Sequence, residues 1–153
     1  MLYSYFKSPI GLVEIGGTAS EVTSLNFVES RRQKAESCPF LDRAAKQIAE
    51  YFEGKRRVFD VPISYQGTNF QERVWGRLLR VPFGKTASYQ DIARGVGNPL
   101  AVRAVGAANG KNPISLIVPC HRIIGSNGRL VGYGGGLWRK EWLLKHEDCQ
   151  FRK

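Results

Sequence analysis

A cysteine and a histidine lie side by side in this chain, and this pair is the first candidate for chemistry. Cys120 and His121 follow the apolar run 114–118 and Pro119. A cysteine is a strong nucleophile only as the thiolate, and a neighbouring base makes the thiolate available near neutral pH. Free cysteines are also among the most buried residues. The pair therefore predicts a nucleophile, with an inert core thiol as the alternative.

The basic charge of the chain is concentrated in the half that contains this pair. The 153 residues have a formal net charge of +10. Residues 1–66 contain nine basic and eight acidic residues, whereas residues 67–153 contain fourteen basic and five acidic ones. This asymmetry indicates a polyanionic partner, most often nucleic acid. An anionic membrane surface is the weaker alternative, and a solvated basic face without a partner also remains open.

The composition is that of a compact soluble protein of one or two small domains. Apolar residues make up 42% of the chain and charged residues 24%. The N-terminus lacks a signal-peptide pattern, and no apolar run approaches the ~20 residues of a membrane span. We therefore expect an intracellular protein, in the cytoplasm and at the nucleoid. Cys38, Cys120 and Cys149 are an odd number without metal-ligand spacing, so neither a disulfide framework nor a metal site is predicted.

The pattern along the chain predicts two segments, divided near Gln66. In the first, residues 2–28 alternate as strands of a small antiparallel sheet, Pro39 to Phe52 form an amphipathic helix, and residues 58–63 form a further strand. In the second, Thr68 to Gln71 and Ser88 to Asp91 have the composition of capping boxes, so each begins a helix.

A third helix is predicted from Pro99 to Asn109, with Asn98 as its N-cap. Together with the short helix before it, which ends at Gly97, it makes a helix-turn-helix. Its residues are small or apolar, and Arg103 is its only charge, so it has few groups that read base edges. With a thiol nearby, this favours chemistry on a base at many sequences. The base would have to rotate out of the duplex, and Arg103 is the candidate that fills the gap.

The run Ile117 to Ile124, Ile-Val-Pro-Cys-His-Arg-Ile-Ile, resembles the active-site sequence of the O6-alkylguanine-DNA alkyltransferases. The resemblance extends from about Phe70 to Glu147. It includes further motifs in the same order, at residues 81–86, 88–89, 97–99, 103–106, 112–113, 133–136 and 140–144.

The resemblance implies an α/β (α+β) fold with two domains. Residues 1–66 would form a ribonuclease H-like domain with a small sheet and a helix. Residues 67–153 would form a mostly helical, winged-helix-like domain that binds DNA through the helix-turn-helix and carries the alkyltransferase site.

The resemblance also implies the activity. Cys120 would take the alkyl group from O6-alkylguanine in double-stranded DNA, and the thioether would not be released, so each molecule reacts once. No cofactor is needed, because the thiol is the acceptor. We expect a monomer. Repair of O4-alkylthymine and side-by-side binding on DNA stay open.

Roles follow for the residues that match the family. His121 would be the base, acting through a water and oriented by Glu141, which lies on a helix predicted from Leu137 to His146. Asn112 would be a hinge that ties the active-site strand to the recognition helix. Tyr89 would rotate the 3′ phosphate and hydrogen-bond the leaving guanine.

The remaining predicted positions contact DNA or the base. The DNA-contacting residues are Tyr89, Gln90, Asn98, Ala101, Arg103 and Ser126. The base and alkyl pocket would be lined by Ile123, Tyr133, Gly134 and Gly135. The family often has Ser or Ala where Gly134 stands, so the backbone N–H would have to bind O6 there.

Two other classes of function, and an inactive relative of the family, would explain parts of this pattern. A DNA-binding regulator with an inert cysteine would explain the charge and the helix-turn-helix, but it requires a polar recognition helix. A cysteine hydrolase would explain Cys120, His121 and Glu141, but it has no use for a helix-turn-helix. A relative that only binds lesions would lack the cysteine.

Overall fold

The computed structural model describes residues 1–36 and 38–152. The chain divides into two compact units, Met1–Tyr65 and Gln66–Lys153. The division predicted from the sequence follows Gln66, one residue beyond this boundary. The mixed α+β class is confirmed, since the first unit contains a small antiparallel sheet and the second is mainly helical. Within the described residues, no helix combines the length and the apolar character that crossing a membrane requires.

The first unit is a three-stranded antiparallel sheet covered by one helix. Strands β1 (Leu2–Ser8), β2 (Gly11–Gly17) and β3 (Val22–Val28) pair in the order β1-β2-β3. Helix α1 (Pro39–Phe52) packs against β1 and β2, and its buried face is the one that the amphipathic pattern predicts.

The strand predicted at residues 58–63 is wrong. Only Ile63 pairs, in an isolated bridge with Val22. Pro62 has no amide hydrogen and contributes only its carbonyl, which accepts from the Val22 N–H at 2.9 Å. The segment therefore meets the edge of the sheet at one point and does not continue the ladder.

The second unit begins with the two helices that the capping boxes predict. Helix α2 (Asn69–Leu78) is capped by Thr68 and Gln71, and α3 (Tyr89–Gly95) is capped by Ser88 and Asp91, so both predictions are confirmed. Just before α3, the short strand β4 (Ala87–Ser88) pairs in parallel with β5 (Ile123–Ile124). This pairing fixes the start of α3 next to the chain that follows Cys120.

Helix α4 (Val102–Gly110) begins three residues later than predicted. The Ala101 N–H donates to the Asn98 carbonyl at 3.0 Å, which closes a turn over residues 98–101. Ala101 is the N-cap, so the prediction that Asn98 caps this helix is wrong. The sequence Asn-Pro suits both a helix start and a tight turn, and here the turn prevails.

The apolar run before Cys120 is a series of turns, not the active-site strand that the resemblance implies. The Val118 N–H donates to the Ile114 carbonyl at 3.0 Å, and Leu116 has a φ of 72°, which no strand contains. Cys120–Arg122 then form one turn of 3-10 helix. The last helix, α5 (Leu137–His146), has the predicted bounds.

Candidate active site

The carbonyls around Cys120 are held by two asparagines. The Asn109 side-chain amide, near the end of α4, donates to the Cys120 carbonyl at 3.4 Å. Asn112 Nδ2 donates to the Val118 carbonyl at 2.8 Å, and Asn112 Oδ1 accepts from the Ile114 N–H at 3.0 Å. Asn112 therefore holds together the turns that precede Cys120, while Asn109, which the sequence did not single out, joins α4 to the cysteine.

A small cavity of about 120 Å³ opens onto Cys120. It lies between the start of α3, the α4 helix and the glycine-rich loop before α5. Its lining residues are Tyr89, Gly106, Asn109, Gly110, Cys120, Gly132, Tyr133 and Gly134. Tyr133 and Gly134 are thus placed as predicted for the pocket. Ile123 and Gly135 are not among the lining residues: Ile123 is fully buried, and Gly135 lies against the Tyr133 ring and Arg139.

The Cys120 thiol is protonated at rest. Cys120 is 5% exposed, and burial raises its pKa above the ordinary value, although a hydrogen bond from Asn112 and the charge of Lys140 oppose this. A raised pKa means that the thiolate must be generated during reaction. A base close to Cys120 is therefore needed.

The carboxylate that binds His121 is Glu147, so the predicted pairing with Glu141 is wrong. His121 Nε2 lies 2.7 Å from Glu147 Oε2, and both side chains are completely buried. Glu141 instead forms an ion pair with Lys145 at 3.2 Å, one turn further along α5. Glu147 lies six positions after Glu141, just past the end of α5, and at 3.6 residues per turn the two side chains point in different directions.

Glu147 is also bound by Arg122. Arg122 Nε donates to Glu147 Oε1 at 2.7 Å, and Nη2 donates to Oε2 at 3.2 Å. Burial opposes ionisation of this carboxyl, yet the hydrogen bond from His121, and the hydrogen bonds and charge of Arg122, hold its pKa far below the ordinary value. Glu147 is thus a carboxylate at neutral pH. The signal for it in the sequence was Arg122, because a basic residue inside an apolar segment requires a buried acid.

His121 is a buried imidazole that is neutral at neutral pH. Burial lowers its pKa below the ordinary value, against the opposing effect of Glu147. Since the ionised Glu147 can only accept, Nε2 carries the proton and donates to it. The lone pair is then on Nδ1, which is buried and has no hydrogen-bond partner among the described residues. This nitrogen can accept a proton.

Lys140 is a buried cation beside the cavity that the sequence analysis did not assign to the site. Its Nζ donates to the carbonyls of Val131 and Gly132, both at 3.0 Å. The Tyr89 hydroxyl donates to the same Val131 carbonyl at 2.7 Å. Burial lowers the pKa of Lys140 to about 8, so it is still mostly charged at neutral pH. It therefore places positive charge near the thiol and anchors the loop over the cavity.

The predicted DNA-contacting residues lie on the surface of this unit or close to it. Arg103, Asn98 and Ser126 are exposed, and Ala101 is half-buried. Gln90 is half-buried as well, and its amide donates to the Pro99 carbonyl at 2.9 Å. Their contacts with DNA stay predictions. In the part of the chain that the structure describes, no cluster of three His, Cys, Asp or Glu side chains could hold a metal ion.

Replacing Glu147 should destabilise the protein far more than replacing Glu141. Glu147→Gln leaves Arg122 buried without a carboxylate, which should lower the free energy of unfolding by about 3–5 kcal/mol. Glu141→Gln, the matched change on the same segment, should cost about 1 kcal/mol or less. Urea unfolding of both variants at neutral pH measures the difference, and equal losses would contradict the assignment.

Acid should destabilise the wild-type protein through the pair of His121 and Glu147. The pKa of His121 is lower in the folded protein than its ordinary 6.5, so the unfolded chain binds the proton first and stability is lost as pH falls below that value. The pKa of Glu147 is also lowered from an ordinary 4.5, so the loss continues below it. Glu147→Gln should flatten the lower part of this dependence.

The chain matches two family models that together span nearly all of it. Residues 69–149 match the 6-O-methylguanine DNA methyltransferase DNA-binding domain, and residues 1–65 match the ribonuclease-like domain of 6-O-methylguanine DNA methyltransferase. A relative from Methanosarcina acetivorans, named methylated-DNA–protein-cysteine methyltransferase, is 44% identical, with 96% of this chain and 98% of the relative covered.

Solved structures give the same result. The structure of Mycobacterium tuberculosis OGT in complex with DNA has a TM-score of 0.90 at 46% identity, covering 97% of this chain and 93% of the other. The Mycobacterium tuberculosis O6-methylguanine methyltransferase structure has a TM-score of 0.88 at 44% identity, covering 96% and 92%. The resemblance inferred from the sequence is confirmed: the chain belongs to the 6-O-methylguanine DNA methyltransferase family.

Proposed function

We propose that this protein repairs DNA by direct reversal, moving an alkyl group from O6 of guanine in duplex DNA to its own Cys120. The observation that carries the proposal is a buried cysteine at a small cavity, followed directly in the chain by a buried histidine that pairs with a buried carboxylate. The curated relatives that match nearly the full chain are named methylated-DNA–protein-cysteine methyltransferases, which supports the same activity.

The proton of the thiol is the first thing that must move. His121 Nδ1 takes it through a bridging water, and Glu147 stabilises the imidazolium through Nε2. The positive charge of Lys140 favours the thiolate while it exists. Together these groups offset the burial that keeps Cys120 protonated at rest.

The thiolate then displaces the guanine. Sγ forms a bond to the alkyl carbon as the carbon–O6 bond breaks, and the electron pair goes to the guanine. Tyr89 lines the cavity, and burial raises the pKa of its hydroxyl, which therefore stays protonated. If its hydrogen bond to the Val131 carbonyl is released, this hydroxyl can give a hydrogen bond or a proton to the leaving base. Water does not cleave the thioether, so each protein molecule reacts once.

The reacting guanine must leave the duplex to reach Cys120. Helix α4 consists mostly of small residues, so its backbone can approach DNA closely. Arg103, the second residue of α4, is exposed and would occupy the space that the base vacates. We propose that one molecule acts on one lesion, because each chain offers one acceptor thiol at this cavity.

The acceptor assignment predicts where the alkyl group is found. After reaction with duplex DNA that contains O6-methylguanine, intact mass spectrometry should show one added methyl group per molecule, on the peptide with Cys120. Cys149 is the internal control, because its thiol is buried and burial raises its pKa to about 11. Methyl on Cys149 or Cys38, or repeated turnover by unmodified protein, would refute the proposal.

The relay predicts a difference between the two glutamates. Replacing His121 or Glu147 by Gln should slow methyl transfer by ~10²–10⁴-fold, the usual effect of losing a general base. Glu141→Gln should react at nearly the wild-type rate. Single-turnover rates are measured on protein that circular dichroism shows to be folded. A slow Glu141→Gln beside a fast Glu147→Gln would reverse the assignment.

The proposed role of Arg103 separates base rotation from chemistry. Arg103→Ala should react at least about tenfold more slowly with O6-methylguanine in duplex DNA, since ~1.4 kcal/mol of lost compensation gives that factor. The same variant should react with free O6-alkylguanine base almost as fast as wild type. Equal slowing on both substrates would mean that the substitution had damaged the cavity.

A further inference from the structure

Three arginines form a row on α2 and the turn that follows it. Arg73 and Arg77 are one helical turn apart, and Arg80 follows three residues later, so all three project from one side. With Gly76, Gly95 and Val96 they line an open concavity of about 450 Å³. None of these residues lines the cavity at Cys120. We call Arg73, Arg77 and Arg80 the arginine row.

The charge of the arginine row is not neutralised within the described residues. Arg73 Nη2 donates to the Val96 carbonyl, and no carboxylate in the part of the chain that is described pairs with any of the three guanidinium groups. The nearest acid in sequence, Glu72, accepts the Gly67 N–H at 3.2 Å instead. Three cations around one concavity repel each other, and an anion bound between them would relieve that repulsion.

Two glycines border the arginine row: one packs against Arg77, and the other leaves space in the concavity. A Cβ built on Gly95 would lie 2.5 Å from Arg77 Nε, so the guanidinium of Arg77 packs directly on the backbone of α3. Arg77 Nε is buried and has no hydrogen-bond partner among the described residues. Gly76 leaves the centre of the concavity open, because a Cβ there would meet nothing within 4 Å.

The position of the row points to DNA as the source of the anions. Arg73 Nη2 lies 3.8 Å from a Cβ built on Gly97, in the turn that leads to Asn98 and α4. Arg73 and Arg77 are about 6 Å apart along the axis of α2, and Arg80 follows just beyond the helix, so the row is long enough to reach more than one phosphate of a strand. Since α4 itself carries a single charge, most of the phosphate contacts that supply DNA affinity must come from other parts of the unit.

We propose that the arginine row binds consecutive phosphates of the DNA on one side of the damaged base, and so lengthens the contact beyond α4. The proposal rests on the proposed function, because it needs DNA on α4. Arginine suits this role, since its planar guanidinium binds phosphate oxygens in pairs. The row takes no part in alkyl transfer. It sets how tightly, and over how many base pairs, the protein holds the duplex.

The test measures affinity for duplexes that carry O6-methylguanine and are extended on one side of the lesion or on the other. For wild type, extension on one side should raise the affinity and steepen the salt dependence, by up to ~3 in the slope of log K against log salt. The triple change of Arg73, Arg77 and Arg80 to Gln should remove this gain and weaken binding to the long duplex at least about tenfold. The triple change to Lys should keep most of it.

Two controls separate a site from a general effect of charge. The first control replaces three exposed lysines of the first unit, Lys7, Lys34 and Lys46, by Gln. This triple change removes the same charge and should not alter the dependence of affinity on duplex length. The second compares Gly76→Glu with Gly76→Gln, which have the same shape and should both favour the helix over glycine. Gly76→Glu should weaken binding to the long duplex about tenfold more than Gly76→Gln.

The outcomes distinguish this inference from the proposed function. If wild type transfers the methyl group but the arginine variants keep its length and salt dependence, the arginine row does not bind DNA. The same follows if the lysine control loses as much as the arginine variant. If wild type neither binds nor repairs any of the duplexes, the proposed function itself fails. Melting temperatures of all variants show that they are folded.

Discussion

The buried carboxylate of Glu147 is the interaction on which the rest of this site depends. It accepts from His121 and from two nitrogens of Arg122, and none of the carboxylate is exposed. An unpaired carboxylate at such a position would cost several kcal/mol. Loss of any one of the three side chains therefore destabilises the other two. The 3-10 turn of Cys120–Arg122 lets consecutive residues face the same carboxylate, which an extended strand, with alternating side chains, would not allow.

The same burial gives the thiol its resting state. Cys120 is closed off from water, its pKa is raised, and it is therefore a weak nucleophile until a base removes its proton. An exposed thiolate would react with any alkylating agent or oxidant in the cell. A buried thiol next to a neutral histidine instead reacts where a substrate fills the cavity. The low reactivity of the resting thiol therefore follows from the burial of the whole cluster.

Local signals in the sequence predicted the elements that local chemistry determines. The capping boxes before α2 and α3 were correct, because a side chain and a backbone N–H three residues apart decide them. The start of α4 was wrong, because Asn-Pro is compatible with both a helix start and a turn, and no local signal distinguishes the two. Glu147 was missed for a similar reason: which of two glutamates faces His121 depends on how α5 packs, and the sequence carries no local mark of that.

Helix α4 and the turn that contains Cys120 are connected by hydrogen bonds within the second unit. Trp75 Nε1 on α2 donates to the Ala108 carbonyl at 2.8 Å, and the next residue, Asn109, holds the Cys120 carbonyl. Helix α4 is thus fixed at its end to both α2 and the nucleophile. Side-chain hydrogen bonds therefore connect the end of α4 to the Cys120 turn. Helix α3 adds a second connection, since β4 before it pairs with β5 directly after the turn. The cavity is therefore bounded by connected elements, and the glycine-rich loop that completes it is anchored by Lys140 at the Val131 and Gly132 carbonyls.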